Sequence, residues 1–243
     1  MIDFWADLRR STQSRIGLGR VGDAMPTPRV LEFRQAHAIA RDAVHDPLDV
    51  EGLTAEITPL GLGESVVVRS RATDRAQYLR RPDLGRLPAD LSAVPATPAD
   101  VGLVLGDGLS ALAVRTHAPA LLAALVDLLA GTMTFAAPVI ATQARVALGD
   151  HIGAALGVRT VIVLIGERPG LSVADSLGVY LTHRPEPGRT DADRNCVSNI
   201  HPPEGLGYVA AARVVRSLLL GARALGRSGV DLKDASRAEP IGS

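Results

Sequence analysis

An α/β fold built on a parallel sheet follows from three observations in the second half of the chain. The first is the run 160–165 in RTVIVLIGERPG. It is a continuous aliphatic, largely β-branched stretch ending in glycine, the pattern of a strand buried on both faces. The second is alternation. Strand-like apolar runs in VGLVLGDG, from Val101, and at 135–141 are each followed by apolar segments of helical character, which is the order a doubly wound sheet requires. The third is a pair of glycine-marked loops, 106–110 and 166–170, placed where those strands end. Sheets of this kind bind ligands outside the carboxyl ends of their strands.

The elements follow in order. Residues 1–25 are polar and dotted with Gly17, Gly19 and Gly22, so an extended arm that needs a partner to order it is expected. Thr27 and Pro28 form an N-cap and first helical position, and a partly apolar helix covers 28–45. Residues 46–65 are rich in proline, glycine and leucine and read as a connection. Val66, Val67 and Val68 suggest a short strand, and 74–80 a helix ended by Pro82. Pro88, Pro95 and Pro98 mark a boundary or crossover. Beyond the strand at 101, helical runs are expected at 111–117 and 120–130, then the strand at 135–141, a short helix at 151–156 and the strand at 160–165. A further strand is expected at 179–182, a long polar loop at 184–204, and an alanine- and leucine-rich helix at 207–225. The expected domains are an arm (1–25), a mainly helical region (26–98), a sheet domain (99–232) and a tail (233–243).

Composition narrows the function. The 243 residues carry 26 basic and 26 acidic side chains. A neutral chain gives no general reason to expect nucleic acid or an anionic membrane as partner. Lys233 is the single lysine, which argues against a lysine Schiff base or a phosphate-loop lysine. Aromatics are 3%, too few for base-stacking platforms. One cysteine, Cys196, leaves no room for an internal disulfide or a multi-cysteine metal site, and a reducing cytoplasm is the default compartment. The mean hydropathy of +0.17 excludes a mostly disordered chain. The apolar stretch 118–141 contains Pro119, Asp127 and Pro138, and so reads as a buried helix and strand rather than a membrane span. His37 and His45 lie about two helical turns apart without a completing ligand, so no metal set is expected there.

Three segments carry chemistry. GDGLSA places Gly106, Gly108 and Ala111 in the G-x-G-x-x-G/A pattern after a strand. The dinucleotide fingerprint also needs an acid at the end of the next strand, about twenty residues on. Asp127 has roughly that spacing but sits within the apolar helix. A tight strand–helix turn is the preferred reading, with a nucleotide-dependent oxidoreductase as the alternative. RNCVSNIH sets Cys196 five residues before His201. A cysteine nucleophile needs a base in reach and a lowered pKa, and proximity in sequence supplies neither. A structural cysteine is the simpler reading and a cysteine hydrolase the competing one. The density of Arg194, Asn195, Ser198, Asn199 and His201 nonetheless fits a ligand contact. Glu167, in GERPG, is placed at a strand's carboxyl end. It could accept hydrogen bonds from a ligand's amides or hydroxyls, or pair with Arg168 on the surface.

Together the segments SRIGLGRVG, YLRRPDLGRLP, GDGLSALAV, VIVLIGERPGLS, SLGVY and DADRNCVSNIH, in order over 14–201, resemble the small (light-chain) subunit of ethanolamine ammonia-lyase, an adenosylcobalamin-dependent enzyme. The resemblance implies a Rossmann-like domain docked beside the barrel of a large catalytic subunit, with adenosylcobalamin held between the two. It implies cofactor contacts at Val146, Glu167 and Cys196 and no catalytic residue on this chain. Ethanolamine and the radical steps fall to the large subunit, which converts the substrate to acetaldehyde and ammonia. A higher hetero-oligomer is expected, in the cytoplasm or inside a bacterial microcompartment, although the segment before Ser14 is shorter than the family's packaging extensions. A purely structural partner without cofactor contact is a further alternative.

Overall fold

The computed structural model describes residues 4–236. The arm is not wholly extended: a five-residue helix, α1 (Ala6–Arg10), opens it. The chain then runs along the loop that follows the fourth strand. Arg15 Nη2 donates to the Leu171 carbonyl at 2.8 Å, and Ser172 Oγ to the Gln13 carbonyl at 3.2 Å. The first long helix, α2 (Thr27–His45), starts one residue before the expected position, with Pro26 as N-cap.

The stretch expected to be a connection contains a helix, α3 (Val50–Ile57). The Asp49 side chain caps it by accepting the Gly52 N–H at 2.9 Å. Its Leu53 and Ile57 are buried. Next come β1 (Val66–Arg69) and α4 (Arg75–Arg80), the latter capped by Asp74. Strand β2 (Val101–Gly106) is buried along its whole length. The two helical runs expected around Pro119 are one helix, α5 (Ala111–Leu129). Pro119 removes one backbone donor, but nine buried residues of α5 pack it into the core, and each large apolar side chain so buried contributes about 1.5–3 kcal/mol. By length and composition α5 is also apolar enough to cross a membrane.

Strand β3 (Val139–Thr142) is shorter than expected, Phe135 contributing only an isolated bridge to Val101. Helix α6 (Leu148–Leu156) leads to β4 (Thr160–Gly166) and β5 (Leu177–His183). The loop expected over 184–204 contains a strand, β6 (Asn195–Ile200). Helix α7 (Tyr208–Leu225) follows. Residues 237–243, most of the expected tail, lie outside the described residues.

The α/β class stands, but the sheet is mixed rather than wholly parallel. Its order is β1-β3-β2-β4-β5-β6. The first four strands in that order run parallel, while β5 is antiparallel to both β4 and β6. The reason is local: no helix lies between β4 and β5, and a parallel neighbour needs a crossover that the short 167–176 segment does not supply. One face of the sheet carries α3, α5 and α7 over Leu103, Leu105, Ile162 and Leu164. The other carries α6 over Val104, Val161 and Val163. β1, from the 26–98 segment, is an edge strand of this same sheet.

His183 closes β5 with its Nδ1 2.8 Å from Thr160 Oγ1. Burial, and then the nearby Arg184, Arg223, Arg159 and Arg189, hold its imidazole below the usual 6.5. A depressed histidine contributes stability above its unfolded pKa and loses it as pH falls through the folded value. The chain is therefore expected to lose stability as pH falls below about 6.5. His183→Asn, which cannot titrate, should flatten that slope in denaturation midpoints taken across the range. An unchanged slope would remove His183 from the account.

Candidate functional site

Loops from the carboxyl ends of β2, β3 and β4 meet at one edge of the sheet, where a ligand site is expected. Asp107, just past β2, holds the first two together. Its buried carboxylate accepts the backbone N–H groups of Gln143 and Ala144, both at 2.8 Å, with Arg75 Nη1 at 3.4 Å. Burial pushes this carboxyl up, against the pull of those three donors. Gln143 is thereby held at φ +54°, a conformation few residues other than glycine adopt. The fully buried Tyr78 donates its phenol to the Ala144 carbonyl at 2.9 Å. The Arg75 and Arg145 guanidiniums stack on its ring at 4.7 and 4.5 Å. The Arg145 backbone N–H donates to the Gly85 carbonyl at 2.8 Å. This framework fixes Val146.

Glu167 is the first residue past β4. Ser176 Oγ donates to its Oε2 at 2.5 Å, and the Asn199 N–H reaches the same oxygen at 3.3 Å. Oε1 lies over Gly178, where a Cβ would come within 3.0 Å of it. The absence of a side chain on β5 makes room for the carboxylate. Oε1 has no donor among the described residues.

Cys196 pairs with Tyr180 across the β5–β6 ladder, which sets thiol and phenol side by side. Cys196 is at the exposed edge, yet local desolvation, with a smaller push from Glu167, raises its thiol above the ordinary range. Desolvation raises Tyr180 as well. A neutral thiol is a poor nucleophile, and the expected base is committed elsewhere: buried His201 has Nε2 2.8 Å from Asn199 Oδ1. The geometry gives the cysteine-hydrolase reading no support.

Val146 and Glu167 line one cavity of about 290 Å³ together with Tyr180. A second cavity of about 420 Å³ shares Arg145, Val146 and Tyr180 with it. Tyr180 thus connects all three residues singled out from sequence. Sequence reasoning missed Tyr180, Arg145, Tyr78 and Asp107. The period-2 pattern of LGVYLTH places Tyr180 opposite the apolar Val179 and Leu181, and was the available signal for it.

The glycines of GDGLSA serve packing. Gly108 has φ +55°, and a Cβ there would strike the Gly166 carbonyl oxygen. That oxygen accepts the Leu109 N–H at 2.9 Å. Ser110 caps α5 through Ala113 N–H and donates to the Ala174 carbonyl at 2.9 Å. The turn is closed by the end of β4 and the following loop, which does not favour a pyrophosphate at that helix start.

Comparison with known proteins agrees with the motifs. The profile of the family described as ethanolamine ammonia-lyase light chain (EutC) matches residues 2–233. The ethanolamine ammonia-lyase small subunit of Rhodococcus erythropolis is 64% identical over 243 residues, covering 100% of this chain and 95% of that protein. The small subunit of Bradyrhizobium diazoefficiens is 52% identical, covering 95% and 90%. That of Ralstonia nicotianae is 47% identical, covering 96% and 88%. A profile match over nearly the whole chain, with such identity at full length, shows that this chain belongs to the ethanolamine ammonia-lyase light-chain family.

Proposed function

We propose that this chain is the small subunit of an adenosylcobalamin-dependent ethanolamine ammonia-lyase, completing the cofactor site while the large subunit carries ethanolamine. The observation that carries the reading is the convergence of Val146, Glu167 and Cys196 around Tyr180, on the α6 face of the sheet beside the carboxyl end of β4. The donor set suits a bulky ligand with an amide-rich rim. Val146 offers an apolar contact. Glu167 Oε1 is an acceptor without a donor among the described residues. When bound, the cofactor supplies the cobalt–carbon homolysis that begins the radical conversion of ethanolamine to acetaldehyde and ammonia.

This chain's residues bind and orient. Glu167 accepts N–H groups from the amide rim. Cys196 gives a small neutral contact beside Tyr180 and does no covalent chemistry. The partner is a large subunit, in keeping with exposed Leu31, Phe33 and Ile39 (58%, 41% and 51%) on α2, a helix with Ala43 as its one buried residue. We place the assembly in the cytoplasm, where a lone thiol stays reduced.

Co-expression with the large subunit tests the reading. The two chains are expected to co-purify, bind cobalamin and release acetaldehyde, and neither chain alone should do so. Glu167→Ala should weaken cobalamin binding about tenfold, in line with a hydrogen bond to a charged group. Cys196→Ala should keep most of the turnover. Full cobalamin affinity without this chain, or in Glu167→Ala, would refute the proposal.

A further inference from the structure

We infer that the cavity beside the Val146–Glu167 cleft is an anion subsite and that it takes the phosphodiester of cobalamin's nucleotide loop. The inference rests on the cobalamin reading above and adds a charged recognition element to it. Arg86, Arg145, Arg189 and Arg194 line this cavity, facing the single carboxylate of Asp191. Asp191 is already bound to Arg194 at 2.9 Å, and Arg194 also pairs with Asp150. Arg189 has Glu186 only at 3.9 Å and spends its Nε and one Nη on the Arg184 carbonyl. Arg86 and Arg145 have no carboxylate partner among the described residues. Nε of Arg145 and Nε of Arg194 are buried without an acceptor among the described residues.

In a chain of zero formal net charge, this is a local excess of guanidinium rather than a basic background. Buried donors without partners are uncommon and call for an explanation. The planar guanidinium fork suits phosphate oxygens better than a lone amide carbonyl. Cobalamin has a corrin body edged with neutral amides and one phosphodiester. The two cavities share Arg145, Val146 and Tyr180. A ligand spanning both would set its amide rim against Glu167 and its phosphodiester against the arginines.

The test uses the assembled enzyme and reads equilibrium binding rather than turnover. Adenosylcobalamin is compared with adenosylcobinamide, which lacks the nucleotide phosphodiester. Arg86→Met, at an exposed position, and the double variant R86M/R145M are expected to lower adenosylcobalamin affinity, the double by tenfold or more. Adenosylcobinamide affinity should not change in Arg86→Met, and in the double variant it should fall much less than that of adenosylcobalamin, because Arg145 also stacks on Tyr78 beside Val146. The lysine pair R86K/R145K should keep most of the adenosylcobalamin affinity, and inorganic phosphate should compete with adenosylcobalamin alone. Equal losses for both ligands, equal losses in the lysine and methionine pairs, or no loss in the double methionine variant would overturn the subsite. Glu167→Ala separates the two levels. If it weakens cobalamin while R86M/R145M does not, only the subsite fails. If neither affects binding, the cobalamin reading fails with it.

Discussion

Replacing Gly166 with alanine is expected to cost about 3 kcal/mol or more, at the upper end of what overpacking a tight contact costs. Gly166 ends β4 against the β2–α5 turn. A Cβ there would fall inside the Ser110 carbonyl oxygen and within 2.7 Å of the Asp107 carbonyl oxygen. Both obstacles are backbone, so no side-chain rotation relieves the clash. The strand and the turn must part, breaking the Leu109-to-Gly166 hydrogen bond. Asp107 then shifts, taking with it the Gln143 and Ala144 N–H groups that hold the Val146 loop. Glu167, the next residue, moves as well. In a chain of this size the melting temperature should fall by about 6–12 °C, and cobalamin affinity of the assembled enzyme with it. A melting curve that overlays the wild type would show that turn and strand separate freely, against the packing described.

The elements legible in the sequence are those whose signal is local. β2 and β4 are continuous apolar runs because the sheet buries both of their faces. β6 escaped notice for the opposite reason. NCVSNI is polar, with only Val197 and Ile200 buried, and its strand conformation comes from pairing with β5. α3 is short and lies between Pro47 and Pro59, whose turn signals outweighed the Asp49 cap. Pro119 pointed to two helices, but the core contacts of α5 outweigh one missing donor. The antiparallel turn at β5 was accessible in principle, since 167–176 lacks a helical apolar pattern. At the site, Glu167 and Cys196 stood out as polar groups in marked loops. Tyr180, which links them, did not, because that link exists only once β5 lies between β4 and β6.

The second large effect concerns the tie between α6 and β6. Arg194 and Asp150 form a buried ion pair, each side chain about 3% exposed. Arg194 also donates to Asp191 and to the Arg189 carbonyl, both at 2.9 Å. Arg194→Met should cost about 3–5 kcal/mol, because it leaves the Asp150 carboxylate buried without its cation. The pH dependence identifies the cause. Burial pushes the Asp150 carboxyl up, and the hydrogen bond and charge of Arg194 pull it back. Without Arg194 the folded pKa rises further above the unfolded value. A carboxyl raised in this way contributes stability below its unfolded pKa and loses it as pH rises through the folded value. The deficit of the variant should therefore be widest at neutral pH and narrow on acidification toward about pH 4. Adding Asp150→Asn to Arg194→Met removes the stranded charge and should restore much of the loss at neutral pH. Denaturant midpoints from pH 4 to 8 decide the matter: a deficit constant across that range, and untouched by the second substitution, would mean that Arg194 acts through packing and not through charge. Arg194 lies two residues before Cys196 and lines the arginine cavity, so loss of the tie should also loosen the entry of β6. Cobalamin affinity is then expected to fall in the single variant and to recover, at least in part, in the double.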